Sequence, residues 1–216
     1  MGFPTILQTA VGSTPTYVAP HFASTTPGNT LVAFYFYGAG VAPTISDTQG
    51  NTYTAVGQQI FSFGSLLAGM FVASGIAGGA VTVNISTIGA AGALIVCEVA
   101  GSTGLEASQP IASTSSSASL TCGPITTTTA NSLIFFGVGS SPNTILSEAN
   151  GWTTIYNGTA GSTVYGALFA GTGGAPGSYD DTLTLSHSGP VLANLMALGG
   201  SGPPIVGDQP IMMFLL

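Results

Sequence analysis

Apolar residues along this chain gather in short runs divided by turn signals. The runs lie near Leu31–Tyr37, Asn51–Val56, Leu66–Ala73, Val81–Ser86 and Ala93–Val99, and again near Leu133–Val138, Thr153–Asn157, Val164–Ala170, Thr182–His187 and Leu192–Leu198. Between them stand Asp47–Asn51, Gly78-Gly79, Gly173-Gly174 and Ser188-Gly189-Pro190, residue types that favour tight turns. Val81, Val83 and Ile85 alternate with Thr82, Asn84 and Ser86, the pattern of a strand with one buried and one wet face. No segment carries the period of a long helix. The expectation is an all-β chain with about five strands in each half.

The two halves resemble each other. Asn29–Phe36 (NTLVAFYF) matches Asn131–Val138 (NSLIFFGV), and each follows a threonine-rich approach, Thr25–Gly28 and Thr127–Ala130. Gly50–Tyr53 matches Gly151–Thr154, and Gly69–Ala73 matches Ala167–Ala170. Val81–Ile85 then matches Leu183–His187, and Ala93–Val96 matches Asn194–Ala197, in the same order. This points to a duplication, with one repeat over about 25–100 and the other over about 127–199. The linking segment Gly101–Pro124 is serine-rich and holds a further strand candidate at Ser119–Cys122. Pairing the halves would cover the apolar edge that a five-strand unit leaves open. The expected architecture is therefore one jelly-roll-like β-sandwich over 1–200, followed by an extended tail over 201–216.

Composition narrows the function. The 216 residues include no lysine or arginine, seven carboxylates and two histidines, for a formal charge of -7. A phosphate backbone is bound by cations that displace its counterions, so nucleic acid is excluded as a partner, and anionic membranes and phosphorylated ligands fall for the same reason. The mean hydropathy of +0.54 argues against disorder. No run approaches the ~20 apolar residues of a membrane span, and the most hydrophobic stretch, Ala93–Val99, is interrupted by Glu98. The first residues carry no cation and little apolar length, unlike a secretory leader, so synthesis in a cytoplasm and exit by lysis or a leaderless route are expected. A surface of Thr, Ser, Asn and Gly solvates weakly and favours self-association.

Candidate chemistry is sparse. His21 and His187 lack the nucleophile and acid of a hydrolase triad, and no Gly-x-Ser-x-Gly elbow occurs. Glu98, Glu106 and Glu148 are conceivable as paired carboxylates of a glycosidase, but nothing in their spacing argues for it. Glu98 sits among Leu94, Ile95, Val96 and Val99, and its strand is expected to expose one face there. Asp180-Asp181 offers oxygen ligands for calcium, alone or with Asp47, against the simpler reading of a solvated turn. Trp152, or the pair Tyr35 and Tyr37, offers faces on which sugars stack, although aromatics in a sandwich usually serve the core. Cys97 and Cys122 can pair or remain two buried thiols. No cofactor, metal or enzymatic activity is expected.

The chain ends in six apolar residues, Ile211, Met212, Met213, Phe214, Leu215 and Leu216. Such a tail folds back into its own sandwich or docks on a neighbouring subunit as an added strand.

At Thr25–Ala33, Ile45–Tyr53, Thr126–Ile134 and Asn150–Thr153 the chain resembles β-sandwich modules of bacteriophage virion proteins, of decoration or fibre type, and of large bacterial extracellular proteins. The similarity spans Thr14 to Gly200 and rests on turn residues and residues that lead into strands. It implies a non-enzymatic virion structural protein at the particle surface, made in the host cytoplasm. Its expected partners are its own copies and other virion proteins. The alternatives are a carbohydrate-binding or adhesive surface module, with glycans as partners, and an extracellular filament subunit.

Overall fold

The computed structural model describes residues 3–14, 17–38, 41–56, 66–86, 91–109, 112–141, 145–161 and 163–200, with the side chains of 114–116 and 146 also left aside. The tail residues Ile211–Leu216 lie outside the described residues. The protein is an all-β sandwich, and no helix occurs among the described residues.

The first half contains β1 (Thr5–Ser13), β2 (His21–Thr25), β3 (Thr30–Gly38), β4 (Ile45–Asp47), β5 (Thr54–Val56), β6 (Leu66–Ser74), β7 (Gly79–Ile85) and β8 (Gly92–Ala100). They form a large antiparallel sheet of order β1-β8-β3-β6-β5 and a small one of order β2-β7-β4. The second half contains β9 (Ser102–Ser108), β10 (Ala112–Thr126), β11 (Leu133–Ser140), β12 (Ile145–Glu148), β13 (Thr153–Ala160), β14 (Val164–Thr172) and β15 (Ser178–Gly200). Its order is β10-β15-β11-β14-β13, with β9 and β12 also on β15.

One strand, β15, does the work of two. Its first part pairs with β12 and the end of β10, as β7 pairs with β4 and β2, and its second part pairs with β11 and β9, as β8 pairs with β3 and β1. Ser188-Gly189-Pro190 is not the turn expected from sequence. It lies inside β15, where the register against β10 slips between Ser117 and Ser119 and the strand passes from one layer to the next.

Each half thus holds more strands than the five legible from apolar runs, because β2, β4, β9 and β12 are short or polar and β1 scatters its apolar residues among polar ones. The halves also meet differently from the edge pairing expected. The two large sheets stack face to face, and Val32, Phe34, Phe36, Met70 and Ile95 of one share a core with Leu133, Phe135, Leu168 and Met196 of the other. The opposite face of the first large sheet (Leu31, Tyr35, Tyr37, Leu94) packs on Phe22, Val81 and Val83 of the small sheet. A third core, with Ile134, Phe136, Phe169, Leu183 and Leu195, fills the second half. Strands of the two central sheets are therefore covered on both faces, which is why β3, β6, β8 and β11 are nearly unbroken apolar runs, while the outer β7 alternates.

Glycines set the spacing of this seam. A Cβ on Gly166 would stand 2.2 Å from Phe36 Cδ1, and one on Gly137 would stand 2.5 Å from Met70 Cε and 2.6 Å from Phe34 Cδ2. Rings from the first half fill the hollows left by these bare backbones in the second.

The structural repeat runs one residue out of step with the sequence match at its start. Gly28 (φ 85°) and Asn131 (φ 57°) occupy the same turn, and the amide of each donates across the sandwich, to Ile76 O at 2.9 Å and to Gly174 O at 2.5 Å. Leu31 then corresponds to Ile134, both facing outward from the seam, and not to Leu133, which faces into it. Since side chains alternate along a strand, aligning Asn29 with Asn131 would invert every residue that follows.

The seam predicts that Gly166→Ala, a change that ordinarily favours a strand, destabilises the protein by about 1–3 kcal/mol by overpacking. Phe36→Ala should cost about 3–5 kcal/mol alone and much less in the Gly166→Ala background. Urea unfolding of the two single variants and the double variant measures this coupling.

Candidate functional site

With no lysine or arginine present, the carboxylates show where polarity is concentrated. Glu98 was expected on an exposed face of its strand. Instead it is 1% exposed, because β8 is covered on both sides, and it is held by neutral donors. Gln8 Nε2 donates to one oxygen at 2.5 Å, and the Thr26 amide and Asn29 Nδ2 donate to the other at 2.7 Å each. Glu106, on β9, does the same for the matching loop of the second half. It accepts from the Thr128 and Thr129 amides at 2.5 and 2.6 Å, from their hydroxyls at 2.8 and 3.0 Å, and from Ser132 Oγ at 2.6 Å. A Cβ on Gly199 of β15 would fall 2.6 Å from Thr103 Oγ1, so bare backbone there leaves room for that side chain of β9. The threonine-rich approaches seen in the sequence are these donor sets.

Asp47 caps its own turn. It accepts from the Gln49 and Asn51 amides at 2.9 and 3.1 Å, from Asn51 Nδ2 at 2.8 Å and from Tyr53 OH at 2.9 Å. Burial raises the pKa of both Asp47 and Glu106, but the donated hydrogen bonds outweigh it and hold both below the ordinary carboxylate value.

Asp181 is the exception. It is 2% exposed on β15, and Oδ1 accepts from the Ala149 and Thr182 amides at 3.0 and 2.7 Å, whereas Oδ2 meets no donor among the described residues. Burial, and after it the neighbouring Glu148 carboxylate, pushes its pKa up to about 6. The calcium arrangement considered from sequence does not form. Asp180 is exposed while its neighbour Asp181 points inward, and Asp47 lies on the other half, committed to its own turn. Among the described residues no group of three or more acidic, histidine or cysteine side chains converges on a point.

The remaining candidates separate. His21 Nδ1 contacts Thr82 Oγ1 at 3.0 Å and His187 Nδ1 contacts Ser186 Oγ at 2.9 Å, both exposed and on different halves. Cys97, in the seam, and Cys122, in the second-half core, are free thiols raised by burial to about 12 and about 11. Neither behaves as a nucleophile. Tyr35 and Tyr37 are buried in the first-half core, which removes them as sugar platforms.

Trp152 alone among the aromatic candidates reaches the surface. It follows Gly151 (φ 70°) at the start of β13, half-buried, its ring edge-on to Phe136 with centroids 6.5 Å apart at 85°. Its indole lies over Gly171 of β14, where a Cβ would stand 2.2 Å from Cδ1 and 2.5 Å from Cγ and Nε1. The ring divides two clefts. One, of about 640 Å³, opens where the halves meet and is lined by Thr5 and Ile6 of β1 with Thr153, Ile155 and Thr172. The other, of about 300 Å³, is lined by Asn150, Thr172, Ser178, Tyr179 and Asp180. Asn150 Nδ2 donates to Asp180 O at 2.7 Å, and Tyr179 OH donates to Ala175 O. Sequence reasoning picked out Trp152 but missed Asn150, Ser178 and Tyr179. By strand register Trp152 stands where the first half has Tyr53, each preceding the threonine that pairs with the equivalent residue of β14 or β6.

Comparison of the chain with known protein families, with characterised proteins and with solved structures gives no match.

The carboxylates fix the pH profile. The stability contributed by Asp47 and Glu106, whose folded pKa values are depressed, is present above the ordinary carboxylate range and lost as pH falls through it. Asp181 works in the opposite direction. Its folded value near 6 exceeds its unfolded one, so its contribution is complete below about pH 4 and is lost as pH rises through 6. Thermal unfolding should therefore show maximal stability between about pH 4 and 6. Asp181→Asn, whose amide donates to Glu148 without a charge, should raise stability at pH 8 by about 1 kcal/mol and flatten the alkaline limb.

Proposed function

We propose that the protein is a non-enzymatic structural subunit, of virion head-decoration or fibre type, that assembles as a homo-oligomer on the surface of a larger particle. The observation that carries this reading is the free edge of β1. Among the described residues its one strand neighbour is β8, and its residues Leu7 and Val11 are 54% and 44% exposed. Edge strands of monomeric proteins are usually blunted by lysine, proline or inward charges, and between Thr5 and Ser13 this one has none of these, only a register slip at Leu7. A surface without positive charge adds little repulsion against a second copy.

The repeated strand order, with first beside last and second beside the seventh-strand equivalent, supports a jelly-roll-like reading of each half. Together with the resemblance of the turn motifs to virion β-sandwich modules, it favours a scaffold role. The carboxylates spent on loop caps, and histidines and thiols kept apart, support a protein that binds and assembles rather than catalyses. The tail Ile211–Leu216 is assigned the second contact, an added strand on a neighbouring subunit.

Light scattering and negative-stain microscopy test the reading on three forms of the chain: full length, ending at Gly202, and carrying Thr9→Lys in the β1 edge. Assemblies from the full chain that fall to folded monomers in either altered form are expected. A full chain that stays monomeric at about 100 μM would contradict the reading.

A further inference from the structure

We propose that the paired clefts around Trp152 form a binding site for a neutral saccharide, with one sugar ring stacked on the indole and its neighbours in the flanking clefts. This goes beyond the structural role proposed above and does not depend on the oligomeric state.

The duplicated fold supplies its own control. Asn51 and Trp152 each follow a glycine of positive φ at the same turn, Gly50 at 72° and Gly151 at 70°. In the first half the Asn51 side chain is consumed by the turn, bonded to Asp47 and accepting from the Ala77 amide at 3.0 Å. The register nonetheless sets Tyr53 against Trp152, since each precedes the threonine, Thr54 or Thr153, that pairs with the equivalent residue of β6 or β14, and the Tyr53 hydroxyl is consumed by Asp47 whereas no described residue accepts from the indole N–H. The residue beneath it has changed in step. Ala73, paired with Leu31, corresponds to Gly171, paired with Ile134, and only without a Cβ does the second half admit the ring. Two departures from the first half, Tyr53 to Trp152 and Ala73 to Gly171, place the larger indole over bare backbone and fix its orientation. A platform held in this way binds at little ordering cost.

The surroundings select the ligand class. Sugars offer an apolar face of C–H bonds to an aromatic ring and hydroxyls at their rim. Asn150, Thr172, Ser178 and Asp180 stand exposed around the smaller cleft, Thr5 and Thr153 line the larger one, and no described residue accepts from the indole N–H. Asp180 exchanges hydrogen bonds with neutral hydroxyls but repels anions, and no lysine or arginine is available for a sulfate, phosphate or sialic acid. The class is thus neutral, and the two clefts flanking the ring suit an oligosaccharide of more than one unit.

Trp152 is the sole tryptophan, so its fluorescence reports the site directly. The full-length protein is titrated with neutral oligosaccharides of glucose, galactose, mannose, xylose and N-acetylglucosamine, and with sialylated and sulfated counterparts, alongside a glycan array. A saturable change with at least one neutral series, absent with its anionic counterparts, is expected. Trp152→Asn, which removes the aromatic face, should keep the fold by circular dichroism and thermal unfolding and lose array binding at least tenfold. Asp180→Asn should weaken binding while leaving the Trp152 spectrum of the free protein unchanged. Absence of response to every neutral series up to about 10 mM, retention of binding by a folded Trp152→Asn variant, or preference for anionic glycans would each overturn the proposal.

Discussion

The face-to-face contact of the two large sheets is the constraint on which the rest of the molecule depends. An antiparallel sheet normally keeps one face for solvent, but each central sheet here has a core on both sides. This accounts for runs such as LVAFYFY at Leu31–Tyr37, which would leave a row of exposed aromatics if either half stood alone. It also accounts for the glycines at Gly137 and Gly166, where Phe34 and Phe36 enter the opposite sheet. Close packing of this kind tolerates neither a vacant ring nor an added methyl, so the halves specify each other.

The absence of lysine and arginine imposes a second discipline. A buried carboxylate ordinarily finds a cation or becomes neutral. In this chain Glu98, Glu106 and Asp47 remain in place through amides, hydroxyls and backbone N–H groups, arranged at the turns that lead into the central strands. The two halves solve the same problem from different strands, with Glu98 on β8 in the first and Glu106 on β9 in the second. Asp181, whose Oδ2 meets no donor among the described residues, instead has its pKa raised by burial. Polar satisfaction, rather than ion pairing, thus fixes the loops.

Much of this was legible in the sequence, in proportion to how local its cause is. The ten apolar runs fall in nine strands, the last two fused in β15 and the run at Asn51–Val56 reduced to Thr54–Val56, and the alternation at Val81–Ile85 marks an outer layer, since the period of side-chain burial is set within a strand. What escaped depends on distant partners. β4 and β12 are too short to announce themselves, and β1 scatters Ile6, Leu7, Ala10 and Val11 among polar residues without a run. Glu98 looked exposed because a carboxylate among Val and Ile suggests a wet face, and its donors Gln8, Thr26 and Asn29 lie far away in sequence. The bend at Ser188–Pro190 uses turn residues inside a strand. Asn29 and Asn131 matched in sequence, yet the turn formed by Gly28 is formed by Asn131, a one-residue shift that only hydrogen bonding reveals. At the clefts, Trp152 was visible as a residue, while its setting needed the second strand and Gly171.

The two native cysteines allow the central claim to be tested without altering the chain. Cys97 lies in the seam on the first half and Cys122 in the core of the second, both free and buried. Their reaction with a thiol reagent, followed residue by residue across a urea gradient together with Trp152 fluorescence, measures whether the halves stand or fall together. The account predicts that both thiols become reactive at the same denaturant concentration at which Trp152 loses its native spectrum. Exposure of either thiol while the other half remains folded would show that the halves are independent units and that the seam does not hold the structure together.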